Sequence, residues 1–352
     1  CVCVCDIFYS HIFKMQSLFV LTPLLYVMYL PFIQPEYFGD VIVVNGKAWP
    51  YLKVQRRKYR FRIINASNAR FYRFALDNGM HFIQIGADSF YFEKPIHLKE
   101  ILMAPSETVD VILDFFTSNS SVVILTNNAS YPFPDGDPVN EQSSMIMKFV
   151  IQNRISQDRA RIPEHLMKVD RLSASNATHK TRNIILSEFE TPEEEPTHLL
   201  INFRWFTDPV TETPSLGSTE MWRIINLTPD NHPLHVHLVG FQVIHEQKLN
   251  DTLDDLLDCV AEHESVEGCD LESFFDGPPQ PPAANEAGFK NVYKMKPFHV
   301  TSILIRFSLP DGRPFPFNAT GAPGYAYHCH VISLSLSLSK KTKLLLFRKD
   351  LA

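Results

Sequence analysis

Two short stretches concentrate side chains able to bind a transition metal: His232-Pro233-Leu234-His235-Val236-His237 and Tyr327-His328-Cys329-His330. Both are built on a period of two. In an extended strand, side chains two apart share a face and the one between them points the other way. His328 and His330 would therefore face one centre while Cys329 reaches another on the far side. His235 and His237 form a second same-face pair, and Pro233 is expected to break the register between them and His232. A thiolate with imidazole is the ligand set of a blue-copper electron-transfer site, whereas imidazoles alone suit copper that handles oxygen. A lone HxH would carry little weight. Five histidines meeting a cysteine in two such arrays fit poorly with a chance scatter of the fourteen in the chain. The rest, among them His245, His263 and His299, match no motif.

The elements that must position these residues show themselves through an internal repeat. Arg62-Ile63-Ile64-Asn65 recurs as Arg223-Ile224-Ile225-Asn226, and the ungapped alignment sets Phe71, Phe74 and Leu76 where His232, His235 and His237 stand. Met103-Ala104-Pro105 to Phe115 matches Met295-Lys296-Pro297 to Phe307 in the same way. Each repeat opens on an Asn shortly before a Trp, Asn45 and Trp49, then Asn202 and Trp205. Runs such as 40–44, 59–64, 108–115 and 302–307 read as strands separated by Pro, Gly and Asn turns, the pattern of a Greek-key β-sandwich. The expected fold is all-β: two related sandwiches, one with metal ligands and one with apolar residues in their place. The first spans about 36–152 and the second about 183–330, with a polar linker at 153–182. Residues 250–291 form an acidic, Pro-rich insertion expected to be a long surface loop over the site.

HPLHVH followed by HCH at this spacing resembles the third cupredoxin-like domain of the multicopper oxidases. PEYFGDVIVVNGKAWP, GSTEMWRIINLTPDNHPLHVHLVGFQVIHEQ and FNATGAPGYAYHCH resemble the plant group of Low Phosphate Root-like ferroxidases, which is itself similar to spore-coat laccase. The resemblance implies a tandem of the second and third domains of a three-domain enzyme, with no counterpart of the first. It implies copper as cofactor: His232 and Cys329 at a type 1 site, His235 at type 2, and His237, His328 and His330 at the type 3 pair. Electrons would pass from Cys329 to His328 and His330. It further implies oxidation of Fe(II), or of phenolic reductants, with four-electron reduction of dioxygen to water, and a role in phosphate homeostasis of roots. Acidic residues would receive Fe(II), since carboxylate oxygens suit that ion; Asp230, Glu36 and Asp137 are the candidates, against a reading of each as a solvated loop carboxylate.

The chain also departs from the family pattern. The family's second type 1 histidine and its axial residue fall at Leu334 and Ser339, inside an alternating Leu/Ser stretch that reads either as a strand or as translated non-coding sequence. Residues 331–352 are therefore expected to be an aberrant tail, and 1–35 an atypical apolar segment. The run Ser17–Ile33, broken by Pro23 and Pro31, is a poor signal peptide and a marginal membrane span. Both ends read as a misassembled gene model or retained introns, leaving a truncated, impaired enzyme. The alternative is a copper-binding remnant or interaction module without turnover.

A net charge of −6 with no basic stripe argues against a nucleic-acid partner, and 45% hydrophobic residues suffice for real cores. Nothing in the sequence marks the oligomeric state. Asn-x-Ser/Thr at Asn65, Asn119, Asn128, Asn176, Asn226, Asn250 and Asn318 points to the secretory pathway, the endoplasmic reticulum or cell wall, unless those that are buried never carry glycan. Cys259 and Cys269 flank an acidic loop and are candidates for a disulfide, or for a pair of free thiols.

Overall fold

The computed structural model describes residues 2–7, 36–155, 158–177, 181–190, 196–205, 208–321, 324–330 and 342–345. They are nearly all strand, in two units that divide between Met167 and Lys168. The division falls inside the expected linker, whose halves are pinned to different units. Asp158 accepts the Lys58 amide at 2.7 Å and Leu166 donates to the Glu93 carbonyl at 2.9 Å. On the other side, the Leu172 amide donates to Gln242 Oε1 at 2.8 Å.

In the first unit a seven-stranded sheet runs in the order Lys47–Ala48, Val41–Val44, Val2–Ile7, Lys58–Asn65, Thr108–Asp114, Phe82–Ala87, Phe90–Leu98. It faces a five-stranded sheet of Tyr51–Arg56, Met145–Ile155, Val122–Asn127, Tyr72–Leu76 and Glu100–Met103. Alternation decides which side chains enter the core. In Thr108–Asp114, Val109, Val111 and Leu113 are buried and their polar neighbours are not. Each apolar side chain so buried contributes about 1.5–3 kcal/mol. Phe71, Phe74 and Leu76, the residues standing where the second repeat has histidines, are buried among aromatics, with Tyr72 stacked on Phe74 and Phe71 on Phe133.

The second unit repeats the plan. Its larger sheet runs Pro196–Ile201, Arg182–Glu190, Thr219–Asn226, His299–Arg306, Phe241–Leu249, Phe275–Gln280, with Phe289–Lys290 also paired to Phe241–Leu249. The smaller carries Val292–Met295, His232–Val236, Tyr325–Cys329 and Thr342–Leu345. Between them lies a core of Ile184, Leu186, Trp222, Ile224, Leu234, Val236 and Tyr327, among others. The all-β tandem of cupredoxin-like sandwiches expected from the sequence is what the chain builds.

The repeat extends to single atoms. Asn65 Nδ2 donates to the carbonyls of Arg70 and Met103, and Asn226 Nδ2 to those of Asp230, Met295 and Lys296; both residues are fully buried. These two amides are committed inside the core, which removes Asn65 and Asn226 from the glycosylation candidates. Asn119, Asn128, Asn176 and Asn318 are exposed and Asn250 is half-buried.

Two further expectations are corrected. The segment 1–35 was expected to stand apart, yet Val2–Ile7 is a strand of the first sandwich. It pairs antiparallel with Val41–Val44 and parallel with Lys58–Asn65, as Arg182–Glu190 pairs antiparallel with Pro196–Ile201 and parallel with Thr219–Asn226. The Cys3 amide donates to Asn45 Oδ1 at 2.8 Å and the Ile185 amide to Asn202 Oδ1 at 2.7 Å. Both asparagines have positive φ, 49° and 52°, a conformation Asn tolerates better than most residues. The apolar run Ser17–Ile33 lies outside the described residues; among those described, no helix is long and apolar enough to cross a membrane.

The insertion 250–291 is not a structureless loop over the site. It contains the helix Asp254–His263 and the strand Phe275–Gln280. Leu256 and Val260 of the helix pack with Leu249 and Leu253 against Ile185, Ile225 and Val300. Those three alternate with the core-facing residues of the larger sheet, so the helix covers that sheet's outer face. The spacing of Leu253, Leu256 and Val260 along one helical stripe is the signal that the acidic, Pro-rich composition obscured.

Candidate metal centre

His232–Val236 and Tyr325–Cys329 are antiparallel neighbours in register Leu234↔Cys329, His235↔His328 and Val236↔Tyr327. Directly paired residues share a face. His232, Leu234 and Cys329 therefore look into the sandwich, while His235, His237, His328 and His330 line the outer face of the same sheet. Pro233 does not break the register as expected: it pairs with Lys294 in an unbroken ladder to Val292–Met295. The three-residue step from His232 to His235 is odd, and alternation alone sends the two to opposite faces.

On the inner face, Cys329 is fully buried and its Sγ lies 3.6 Å from His232 Nδ1. The far nitrogen of His232, Nε2, is 2.6 Å from Thr228 Oγ1, which also donates to Asn226 Oδ1 at 2.9 Å. Thr228 thus fixes the ring so that Nδ1 turns toward the sulfur. On the outer face, one ring nitrogen each of His235, His237 and His328 lie within 4.8 Å of one another. His237 Nε2 and His328 Nε2 stand 3.1 Å apart, and the His328 and His330 ring centres 4.5 Å. His235 Nδ1–H donates to the Asn291 carbonyl at 2.8 Å, so Nε2 is the ring nitrogen that would bind a metal. His330 Nε2 is buried with no hydrogen-bond partner among the described residues. An orphaned imidazole nitrogen inside a cluster of three others fits a bound metal, and thiolate plus imidazoles fits copper.

Burial pushes the imidazoles of His237, His328 and His330 down, His328 to about 4 and His330 to about 3. All three are neutral at pH 7, with lone pairs available. A histidine whose folded pKa lies below its unfolded value binds more protons when unfolded, so stability falls as pH drops from about 6.5 toward those values. The metal-free chain should show a lower urea midpoint at pH 5 than at pH 7. That difference should shrink in a His328→Gln/His330→Gln variant; an unchanged difference would assign it to other groups.

The strand bearing Cys329 is anchored by groups that no motif flagged. Tyr327 Oη donates to Glu212 at 2.7 Å, and the Tyr327 ring meets Trp222 edge-on at 5.7 Å. Trp222 Nε1 in turn donates to Glu220, which also takes a bidentate bond from Arg182. Thr228 was visible in the sequence only as the last residue of a glycosylation sequon. Asn291 acts through its backbone carbonyl, for which no side-chain signal exists.

Among the acidic candidates, Asp230 is half-buried in the turn entering His232, its carbonyl held by Asn226. Glu36 is half-buried and Asp137 exposed, both in the first unit. Cys259 and Cys269 are joined as a disulfide with Cα atoms 5.8 Å apart. Leu334 and Ser339 lie outside the described residues; Thr342–Leu345 pairs with Tyr325–His328.

Two family models, each described as multicopper oxidase, match residues 35–135 and 179–335. Multicopper oxidase LPR1 of Arabidopsis thaliana is 50% identical over 301 residues, covering 85% of this chain and 52% of the relative. A laccase of Bacillus subtilis (strain 168) is 36% identical over 303 residues, covering 86% and 53%. The chain thus spans about half the length of the curated relatives it matches. The crystal structure of a multi-copper oxidase from Pediococcus acidilactici superposes with a TM-score of 0.69 at 19% identity, covering 99% of this chain and 58% of that one.

Proposed function

The chain belongs to the multicopper oxidase family, and from that premise we propose that it carries the electron-entry and oxygen-side ligands of an oxidase acting on Fe(II), or on phenolic reductants. One observation carries the reading: a single strand presents Cys329 to His232 on its inner face, and His328 and His330 to His235 and His237 on its outer face. Bound copper would accept single electrons from the reductant and deliver them to dioxygen. The chain's own part is to hold that path short. Two peptide units separate His328 from His330 through Cys329, so both sites hang on one stretch of backbone. Thr228 turns His232, Asn291 turns His235, and the buried Tyr327–Glu212 bond keeps the strand from sliding. Asp230, two residues ahead of His232, offers a hard oxygen ligand beside the electron-entry histidine. A role in phosphate homeostasis of roots, within the secretory pathway, belongs to the same proposal.

A second reading rests on position 334. Leu stands where the resemblance puts the second type 1 imidazole, which favours a chain that binds copper without turnover. Stopped-flow mixing of the copper-loaded chain with anaerobic Fe(II) separates the two. On the first reading, Fe(II) bleaches a copper–thiolate band, and Asp230→Asn slows the bleaching severalfold. Copper bound with no thiolate band, or a band inert to Fe(II), selects the second.

A further inference from the structure

Outside the histidine face, one other cluster in the described residues gathers three metal-competent side chains: Cys259, His263 and Cys269. We infer that Cys259, His263 and Cys269 form a second metal site, for Zn2+ or Cu+, which opens when the disulfide is reduced. The helix Asp254–His263 places Cys259 and His263 four residues apart, one turn above the other on the same face. A tight loop through Glu264 and Gly268, both at positive φ, then returns Cys269 to that face. One ligand atom from each residue lies within 4.8 Å of the other two, and His263 Nδ1 stands 3.8 Å from Cys259 Sγ. Ligands around tetrahedral Zn2+ lie roughly 3.5–3.8 Å apart, given Zn–S near 2.3 Å and Zn–N near 2.0–2.1 Å. The nitrogen–sulfur spacing therefore already suits a metal. Only the two sulfurs are too close, because they are bonded to each other.

A dithiol reductant supplies two electrons and two protons, breaks the S–S bond and leaves two thiols, itself becoming a disulfide. The sulfurs then separate to the spacing of metal ligands, a shift that side-chain rotation accommodates. The metal displaces both thiol protons and takes the His263 nitrogen, which gives up its 2.9 Å bond to the Cys259 carbonyl. Glu262, Glu264, Glu267 and Asp270 lie in and beside the loop; Arg204 pairs with Glu264 at 3.3 Å, and the surrounding sequence stays net acidic, which favours a cation. His263 is exposed and Cys259 half-buried, so reductant and metal reach the site from solvent. Disulfide and metal are alternative staples for the same helix end, selected by redox poise.

The test uses the full chain, oxidised or reduced with a phosphine, and counts zinc retained after gel filtration. Zinc on the histidine face is common to both states and cancels. The expected result is about one extra zinc per chain on reduction, lost in His263→Ala and accompanied by protection of both thiols from iodoacetamide in the parent. His263→Ala leaves the disulfide intact, so its oxidised form controls for folding. Equal zinc in both states, or extra zinc that survives His263→Ala, overturns the proposal.

Discussion

Cys329→Ser should bind copper on the histidine face yet show no absorption near ~600 nm, the charge-transfer region of a copper–thiolate bond. The exchange is nearly isosteric, and Cys329 sits in a fully buried position beside Leu234, so the sandwich should lose no more than about 2 kcal/mol. The hydroxyl can still meet His232 Nδ1, but a neutral alcohol offers copper neither the charge nor the polarisable sulfur of a thiolate. His235, His237, His328 and His330 point away from the substitution. Their copper should persist as an electron paramagnetic resonance signal without thiolate character. Reduction of bound copper by Fe(II) should fall by orders of magnitude, since the bonded path from the inner to the outer face begins at Cys329 Sγ. A band that survives the substitution would move the thiolate elsewhere, Cys3 being the other free cysteine among the described residues. The inner site would then be no copper site at all.

The candidate copper ligands were legible because metal chemistry restricts residue type and strand geometry restricts spacing. His328-Cys329-His330 states both constraints in three letters. The repeat was legible for a related reason: Asn65 and Asn226 each satisfy a set of buried backbone groups, a task few side chains can perform. What failed to show was anything performed by backbone or by composition-blind packing. Asn291 holds His235 through a carbonyl that every residue has. The helix Asp254–His263 hid in an acidic, Pro-rich context, although Leu253, Leu256 and Val260 mark its buried stripe. Pro233 looked like a break because proline lacks an amide donor, but its ring sits where the ladder asks it only to accept: the His330 amide donates to the Pro233 carbonyl at 2.9 Å. The strand Val2–Ile7 went unread because its closest pattern lies not in family motifs but in its partner repeat, where Arg182–Glu190 does the same work.

That strand carries the second large expected effect. Val4 is fully buried, packed in the first unit's core and paired with Val44 on one side and Asn65 on the other. Its carbonyl accepts the Ala66 amide at 2.7 Å, as the Leu186 carbonyl accepts Leu227 in the second unit. Val4→Asp would put a carboxylate among the apolar residues of that core, at a cost of about 3–5 kcal/mol. Such a loss is comparable to the whole stability of a marginal domain. Cys3→Ser is the control. Cys3 looks outward and is half-exposed, and its amide and carbonyl, which bond Asn45, are untouched, so the change should stay within about 0.5 kcal/mol. Hydrogen exchange read by mass spectrometry is the measurement. Val4→Asp should strip protection from Val41–Val44 and Lys58–Asn65, the strands on either side, while Cys3→Ser leaves them protected. Wild-type protection in Val4→Asp would show that the segment does not enter the sheet. Asn45 would then lack its counterpart to the bond between Asn202 and Ile185.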